Sequence, residues 1–115
     1  MSHGPLREPT FLVLTALAGE PRHGYAVIED VAAMTGGRVR LRAGTLYAAL
    51  DRLRSDGLIE VDREEVVQSR LRRYYKLTAS GEQNLAAETA RLRTQAAIAE
   101  ERLRLRGITF GGATA

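Results

Sequence analysis

At 115 residues, 44% apolar and 27% charged, the chain is sized for one domain with a modest core, and its net charge of +3 permits a polyanionic partner without demanding one. It has no cysteine, which excludes disulfides, thiolate metal sites and thiol redox switches. Its longest apolar stretch, Phe11 to Ala18, is too short to span a bilayer and lacks the order of a secretion signal, so a cytoplasmic location and no membrane partner are expected.

Met1 to Glu8, with Pro5 and then Pro9, is expected to be a mobile arm ahead of a first helix. That helix, ended by Gly19-Glu20-Pro21, is apolar nearly all round, so it should be deeply buried or shared with another subunit. Gly24 opens a second helix whose inner face is read as Tyr25, Ile28, Val31 and Ala32, with Gly36-Gly37 as its stop. Arg38 to Arg42 alternates Arg with Val39 and Leu41, the pattern of a short strand.

Residues Ala43 to Glu60 carry the most information. Leu46, Leu50 and Leu53 recur at +4 and +3 and form one buried stripe. Opposite it lie Gly44, Ala48, Asp51, Arg52 and Ser55, a face with little bulk. Gly57 suits a left-handed helix stop on which Leu58 folds back, and Ile59 and Val61 then begin the alternation of a half-buried strand. A short helix with a greasy inner face and a flat outer one, running into a strand, fits a winged-helix recognition element. The implied partner is double-stranded DNA.

Charge is distributed to match. Residues 1–37 carry −2, residues 38–76 carry +4 and residues 77–115 carry +1, so the positive charge surrounds this helix and the hairpin after it, with strands near Ile59–Arg63 and Leu71–Leu77. Sixteen Arg against one Lys suit bidentate phosphate and guanine recognition, and also suit a GC-rich genome. A long helix is expected from about Ala79 to Arg106, with Thr78 as N-cap and Ser80 with Gln83 as a second capping box. Within it Leu85, Thr89, Leu92, Ala96, Ala99 and Leu103 form a seven-residue repeat, too long for so small a body to cover. Part of that stripe should meet another chain, together with the partner's first helix.

Leu14 to Ala18, His23-Gly24-Tyr25, Gly44-Thr45-Leu46-Tyr47 with Leu50, Arg52-Leu53 and Gly57-Leu58-Ile59, then Arg73 to Thr78 with Gly81, resemble in order and spacing the PadR family of bacterial transcriptional regulators. The resemblance runs over roughly residues 6–82. It implies a homodimeric winged helix-turn-helix repressor of the short subfamily, dimerised through one C-terminal helix, with a small-molecule effector as a further partner. The expected fold is mainly α with a small β-hairpin wing: a winged helix-turn-helix over 1–77, a dimerisation helix over 78–106 and a flexible tail over 107–115.

The residues expected to contact DNA are Arg42, Gly44, Thr45, Tyr47, Ala48, Arg52, Arg70, Arg72 and Lys76. Those expected to dimerise are Phe11, Leu85, Leu92, Ala96, Ala99 and Leu103. Each has a plainer alternative. Tyr47 packs on the core or reaches a phosphate, Thr45 caps the helix, and Arg52 pairs with Asp51 or Asp56. One of Tyr74 and Tyr75 should be core, and His23 should fix the turn into the second helix. Glu64-Glu65 in the wing departs from the family pattern and would repel phosphate, whereas Arg70, Arg72 and Lys76 have no acid near them in sequence. Val66-Val67 suits a longer strand or a protein contact. No catalytic constellation is present, and neither a cofactor nor a metal is expected. A protein-interaction dimer that does not bind DNA, and a small-molecule sensor, are the alternative functions.

Overall fold

Local signals set the helix boundaries. The computed structural model describes residues 5–109. Pro9 sits in the first turn of α1 (Glu8–Gly19), where a missing N–H costs nothing. Leu12, Val13, Leu14, Ala16 and Leu17 bury this helix inside its own chain. The expected arm is only partly independent of the body. Leu6 packs on the core and Glu8 already belongs to the helix, its carboxylate accepting two bonds from the Arg38 guanidinium, while residues 1–4 lie outside the described range.

A two-residue strand, β1 (Arg22–His23), leads into α2 (Gly24–Met34). His23 Nδ1 accepts the Ala26 N–H at 3.3 Å, which caps the helix. Gly36, at φ +60°, and Gly37 stop it, with the Gly37 N–H returning to the Ala32 carbonyl. The expected inner face holds at Val31, which is buried, and at Ile28, which packs on the core, but not at Tyr25. Val27 and Val31 are fully buried, whereas Tyr25 is 64% exposed. Stripes through 24-27-31 and 25-28-32 have the same spacing and lie ~100° apart, and packing selects the one with the small Gly24 at its start.

Arg38 to Arg42 is not a strand: Arg38 closes the turn after α2, its N–H donating to the Thr35 carbonyl, and no strand lies alongside the segment. Val39 and Leu41 still pack inward, and the Thr35 hydroxyl accepts the Val39 N–H. Next comes α3 (Ala43–Ser55), with Leu46, Leu50 and Leu53 buried as expected. Gly57 at φ +76° ends it and the Leu58 N–H folds back to the Leu53 carbonyl, the expected stop.

The wing is β2 (Ile59–Val67) and β3 (Arg70–Leu77), longer than the expected strands, joined by a turn at Gln68-Ser69. With β1 they form an antiparallel sheet in the order β1-β3-β2. Arg22 pairs with Tyr75, and His23 with Tyr74. A bulge at Asp62 separates the Val61–Tyr75 pair from the Arg63–Tyr74 pair. One extra residue reverses the alternation of β2, so Glu64 and Val66 share the face of Tyr75 and Arg63 shares that of Tyr74.

Thr78 caps α4 (Ala79–Leu105) by accepting the Gly81 N–H at 3.1 Å. The second box at Ser80 and Gln83 does not form; the Ser80 carbonyl instead accepts from the Asn84 side chain. The first turns of α4 lie against α1 and β3, with Leu85 packed on the core and Glu88 buried beside Arg91. At 27 residues the helix runs ~40 Å, and beyond Arg91 every described residue is exposed. Gly107, at φ +88°, stops it and the Ile108 N–H returns to Leu103, so the start of the expected tail is an ordered cap; residues 110–115 lie outside the described range. No described helix is long and apolar enough to cross a membrane.

Candidate nucleic-acid interface

The outer face of α3 is built by default: once Leu46, Leu50 and Leu53 are committed to the core, what remains outward is Gly44, Thr45, Ala48, Asp51, Arg52 and Ser55, all exposed. Nothing lies within 4 Å of the position a Gly44 side chain would take, so this face is open. Thr45 is not the N-cap. Arg42 holds that position without a side-chain bond, which leaves the Thr45 hydroxyl facing outward.

Tyr47 is 48% exposed, with its ring against Gly24 at the start of α2. The hydroxyl end and ring edge rest on the body at Gly24, and the residue also borders a cleft. The cleft, ≈ 890 Å³, runs between α3 and the wing and is bordered by Tyr25, Tyr47 and Asp51 on one side and Val67, Arg70, Leu71, Arg72 and Arg73 on the other. Tyr25 was not among the residues expected here. Its exposure beside Tyr47 is visible only once α2 is docked.

Electrostatics sort the arginines. Among the described residues, Arg40, Arg42, Arg52, Arg54, Arg70 and Arg72 carry no ion pair, so Arg52 is not engaged by Asp51 or Asp56. Arg72 and Lys76 nevertheless have acids close by: Glu65 stands directly across from Arg72, and the Lys76 ammonium lies 3.9 Å from Glu60 and 3.6 Å from Asp62. The expectation that no acid is near them fails because antiparallel register brings acids of β2 across from both.

The acids of the wing are likewise compensated. Glu64 accepts from Arg73 at 2.8 Å, and Glu65 is bound by Arg63 at 3.2 Å. The Tyr74 hydroxyl and the Arg63 guanidinium hold the Glu65 carboxyl below its usual range. Neither acid sits at the tip, which is Gln68-Ser69. Tyr75 is core, whereas Tyr74 is half-buried, with the Arg63 guanidinium 3.8 Å over its ring and the His23 ring edge-on at 5.3 Å. Burial first, then Arg72, pushes the His23 imidazole below its ordinary value.

The residues expected to dimerise separate into two groups. Phe11 and Leu85 are half-buried against the chain's own core, while Leu92 and Leu103, each 38% exposed, stand on the projecting part of α4 with Ala96 and Ala99. Ile98 and Leu105, also exposed, lie off the expected seam.

The profile of the transcriptional regulator PadR-like family matches residues 13–87, from the middle of α1 to the first turns of α4. The chain belongs to the PadR-like family. Family members are transcriptional regulators, not enzymes. The chain is 30% identical to a PadR family transcriptional regulator from Eggerthella lenta (TM-score 0.68), covering 83% of this chain and 80% of that one. It is 28% identical to a PadR-like transcription factor from Bacteroides fragilis (TM-score 0.69), covering 81% and 87%. It shares its fold with Bacillus subtilis PadR, solved in complex with operator DNA, at 23% identity and TM-score 0.63, over 70% of this chain and 46% of that one. The winged-helix fold of this PadR-like chain is thus shared along most of its length.

Proposed function

We propose that this PadR-like chain is a homodimeric repressor that binds an inverted-repeat operator, with residues 1–77 reading DNA, 78–106 dimerising and 107–115 as a tail. The observation that carries the reading is the outer face of α3. It is flat at Gly44 and Ala48, polar at Thr45, and flanked by Arg42 and Arg52 with no carboxylate attached. In this reading Arg52 donates to a guanine edge in the major groove, Tyr47 and Thr45 hold phosphates, and Arg70 and Arg72 anchor the wing. Lys76 is a weaker anchor, since Glu60 and Asp62 already occupy it.

Dimerisation is supported by the uncovered apolar positions Leu92 and Leu103, with Ala96 and Ala99 small enough for close helix approach. An apolar groove of ≈ 420 Å³ between α1 and α4, lined by Ala18, Leu77, Leu85, Ala86 and Ala90, is where the partner's helix would seat. A small effector entering the same groove would compete with that helix and so regulate binding. Such a reader works in the cytoplasm, beside its operator.

Footprinting on the DNA upstream of the chain's own gene tests the proposal. Two protected half-sites about one helical turn apart (~10 base pairs), or a multiple, are expected. Inserting ~5 base pairs between them should abolish binding by turning one groove to the far side. Full binding to a single half-site would exclude the symmetric reader.

A further inference from the structure

The outward ridge of α3 carries a carboxylate at its middle. Gly44, Ala48, Asp51 and Ser55 follow one another at spacings of 4, 3 and 4, which lays them in one row opposite the buried Leu46, Leu50 and Leu53. All four are exposed. Gly44 has no side chain, Ala48 a methyl and Ser55 a single hydroxyl, so Asp51 has the longest side chain of the row. The acids of β2 are each tied to a cation: Glu60 and Asp62 to Lys76, Glu64 to Arg73 and Glu65 to Arg63. Asp51 is not. Arg54 lies three residues on and Arg70, Arg72 and Arg73 border the same cleft, yet among the described residues none of them forms an ion pair with it.

A free carboxylate in the middle of such a face is repelled by phosphates and by every base edge that only accepts. What it can bind in a major groove is an amino group, on cytosine N4 or adenine N6, because guanine N7 and O6 and thymine O4 are acceptors. Cytosine presents its amino group alone, whereas adenine sets the N7 acceptor beside it, where it would face the second carboxylate oxygen. We propose that Asp51 is a specificity-determining residue, its carboxylate accepting the N4 amino group of one cytosine in each half-site. The small residues on either side of it let the helix come close enough for a short side chain to reach a base edge. Its charge disfavours the other bases at that position and phosphates in general, so it lowers non-specific affinity while raising selectivity. This inference rests on the DNA-reading function proposed above. It adds a base that Arg52, on the flank of the same ridge, cannot read, since a guanidinium only donates.

Fluorescence anisotropy with the full chain tests this on its upstream duplex, on versions changed at single base pairs of the half-site, and on a random duplex. The parent should lose about tenfold in affinity when one particular C·G pair becomes T·A. Asp51→Ala should bind those two duplexes equally and hold the random duplex more tightly than the parent does. Asp51→Asn should move the preference at the same pair from cytosine to adenine, because an amide matches adenine N6 and N7. Asp51 is exposed and in no ion pair, so both variants should keep the parental Tm. Unaltered base preference at every position in both variants would overturn the assignment while leaving DNA reading intact. Equal losses by Asp51→Ala on operator and random duplexes would also overturn it, since Asp51 would then support the fold or the wing rather than read a base. A parent chain that binds none of the duplexes would remove the DNA-reading function and this role together.

Discussion

The Tyr47 ring fills the space in front of Gly24: a Cβ built on residue 24 would lie 2.5 Å from the Tyr47 hydroxyl oxygen and 2.7 Å from Cζ. The helix that precedes α3 and an aromatic on the outward side of α3 thus interlock, and only a residue without a side chain permits it. Gly24→Ala should swing the half-exposed Tyr47 outward. Stability should change by no more than ~1 kcal/mol, because the displaced group is the end of a flexible side chain and Ala recovers backbone entropy. DNA affinity should fall as far as it does in Tyr47→Ala. The double variant Gly24→Ala/Tyr47→Ala should lose no more than either single one, since both remove the same contact. Additive losses in a band-shift titration would show that Gly24 acts by another route.

Gly81 is a harder constraint. A Cβ there would collide with the backbone carbonyl oxygen of Leu58, which is itself held by the Thr78 N–H at 3.0 Å. Neither side can yield as a side chain would. Gly81→Ala should cost at least about 1–3 kcal/mol as an overpacking strain, lowering Tm by several degrees. An unchanged urea midpoint would mean that α4 shifts freely on the wing.

The dimer is tested on the projecting helix. Leu92→Glu/Leu103→Glu places two charges on exposed seam positions and should leave the monomer folded but unable to associate. Light scattering should then report a single-chain mass, and specific DNA binding should be lost although every DNA-facing residue is intact. A monomeric parent at micromolar concentration would remove the dimer from the account.

Two arginines separate positioning from readout. Arg52→Ala is expected to cost roughly 1–3 kcal/mol at one operator position and relax base preference there. Arg72→Ala should weaken operator and random duplexes alike, with a salt slope lower by ~1. Equal losses on both duplexes for Arg52→Ala would place it on the backbone instead.

His23 ties stability to pH. Its Nδ1 accepts the Ala26 N–H, which requires the neutral ring, and burial and Arg72 both lower its pKa. The unfolded chain therefore binds the proton more readily. Stability is fully present above ~6.5 and declines as pH falls from there towards the lower folded value. Glu8, Glu65 and Glu88 are all held below their usual range by hydrogen-bonded partners, so they begin to protonate at lower pH than this window. His23→Asn keeps a capping side chain and should flatten the fall of urea stability as pH drops below ~6.5. A slope unchanged by that substitution would assign the window to another group.

Much of the fold is legible in the amino-acid sequence, and for one reason. Leu46, Leu50 and Leu53, the Gly57–Leu58 stop, the Thr78 cap and the Tyr74/Tyr75 alternation are all set within a few residues by helical or strand period and by local capping chemistry. Where residues far apart had to meet, local pattern carried no information. β1 has too few residues to show a period and exists because β3 lies beside it. Tyr25 or Val27 could each have headed the buried stripe of α2, and the docked helix buries Val27 and leaves Tyr25 exposed. The pairing of Lys76 with Glu60, and of Arg73 with Glu64, follows from a register that one extra residue at Asp62 resets. Sequence alone determined which faces are apolar and where each helix stops, because period and caps are short-range. Tertiary structure decided which charges are free and which apolar residues are left uncovered, because strand register and helix docking bring together side chains that are distant in the chain.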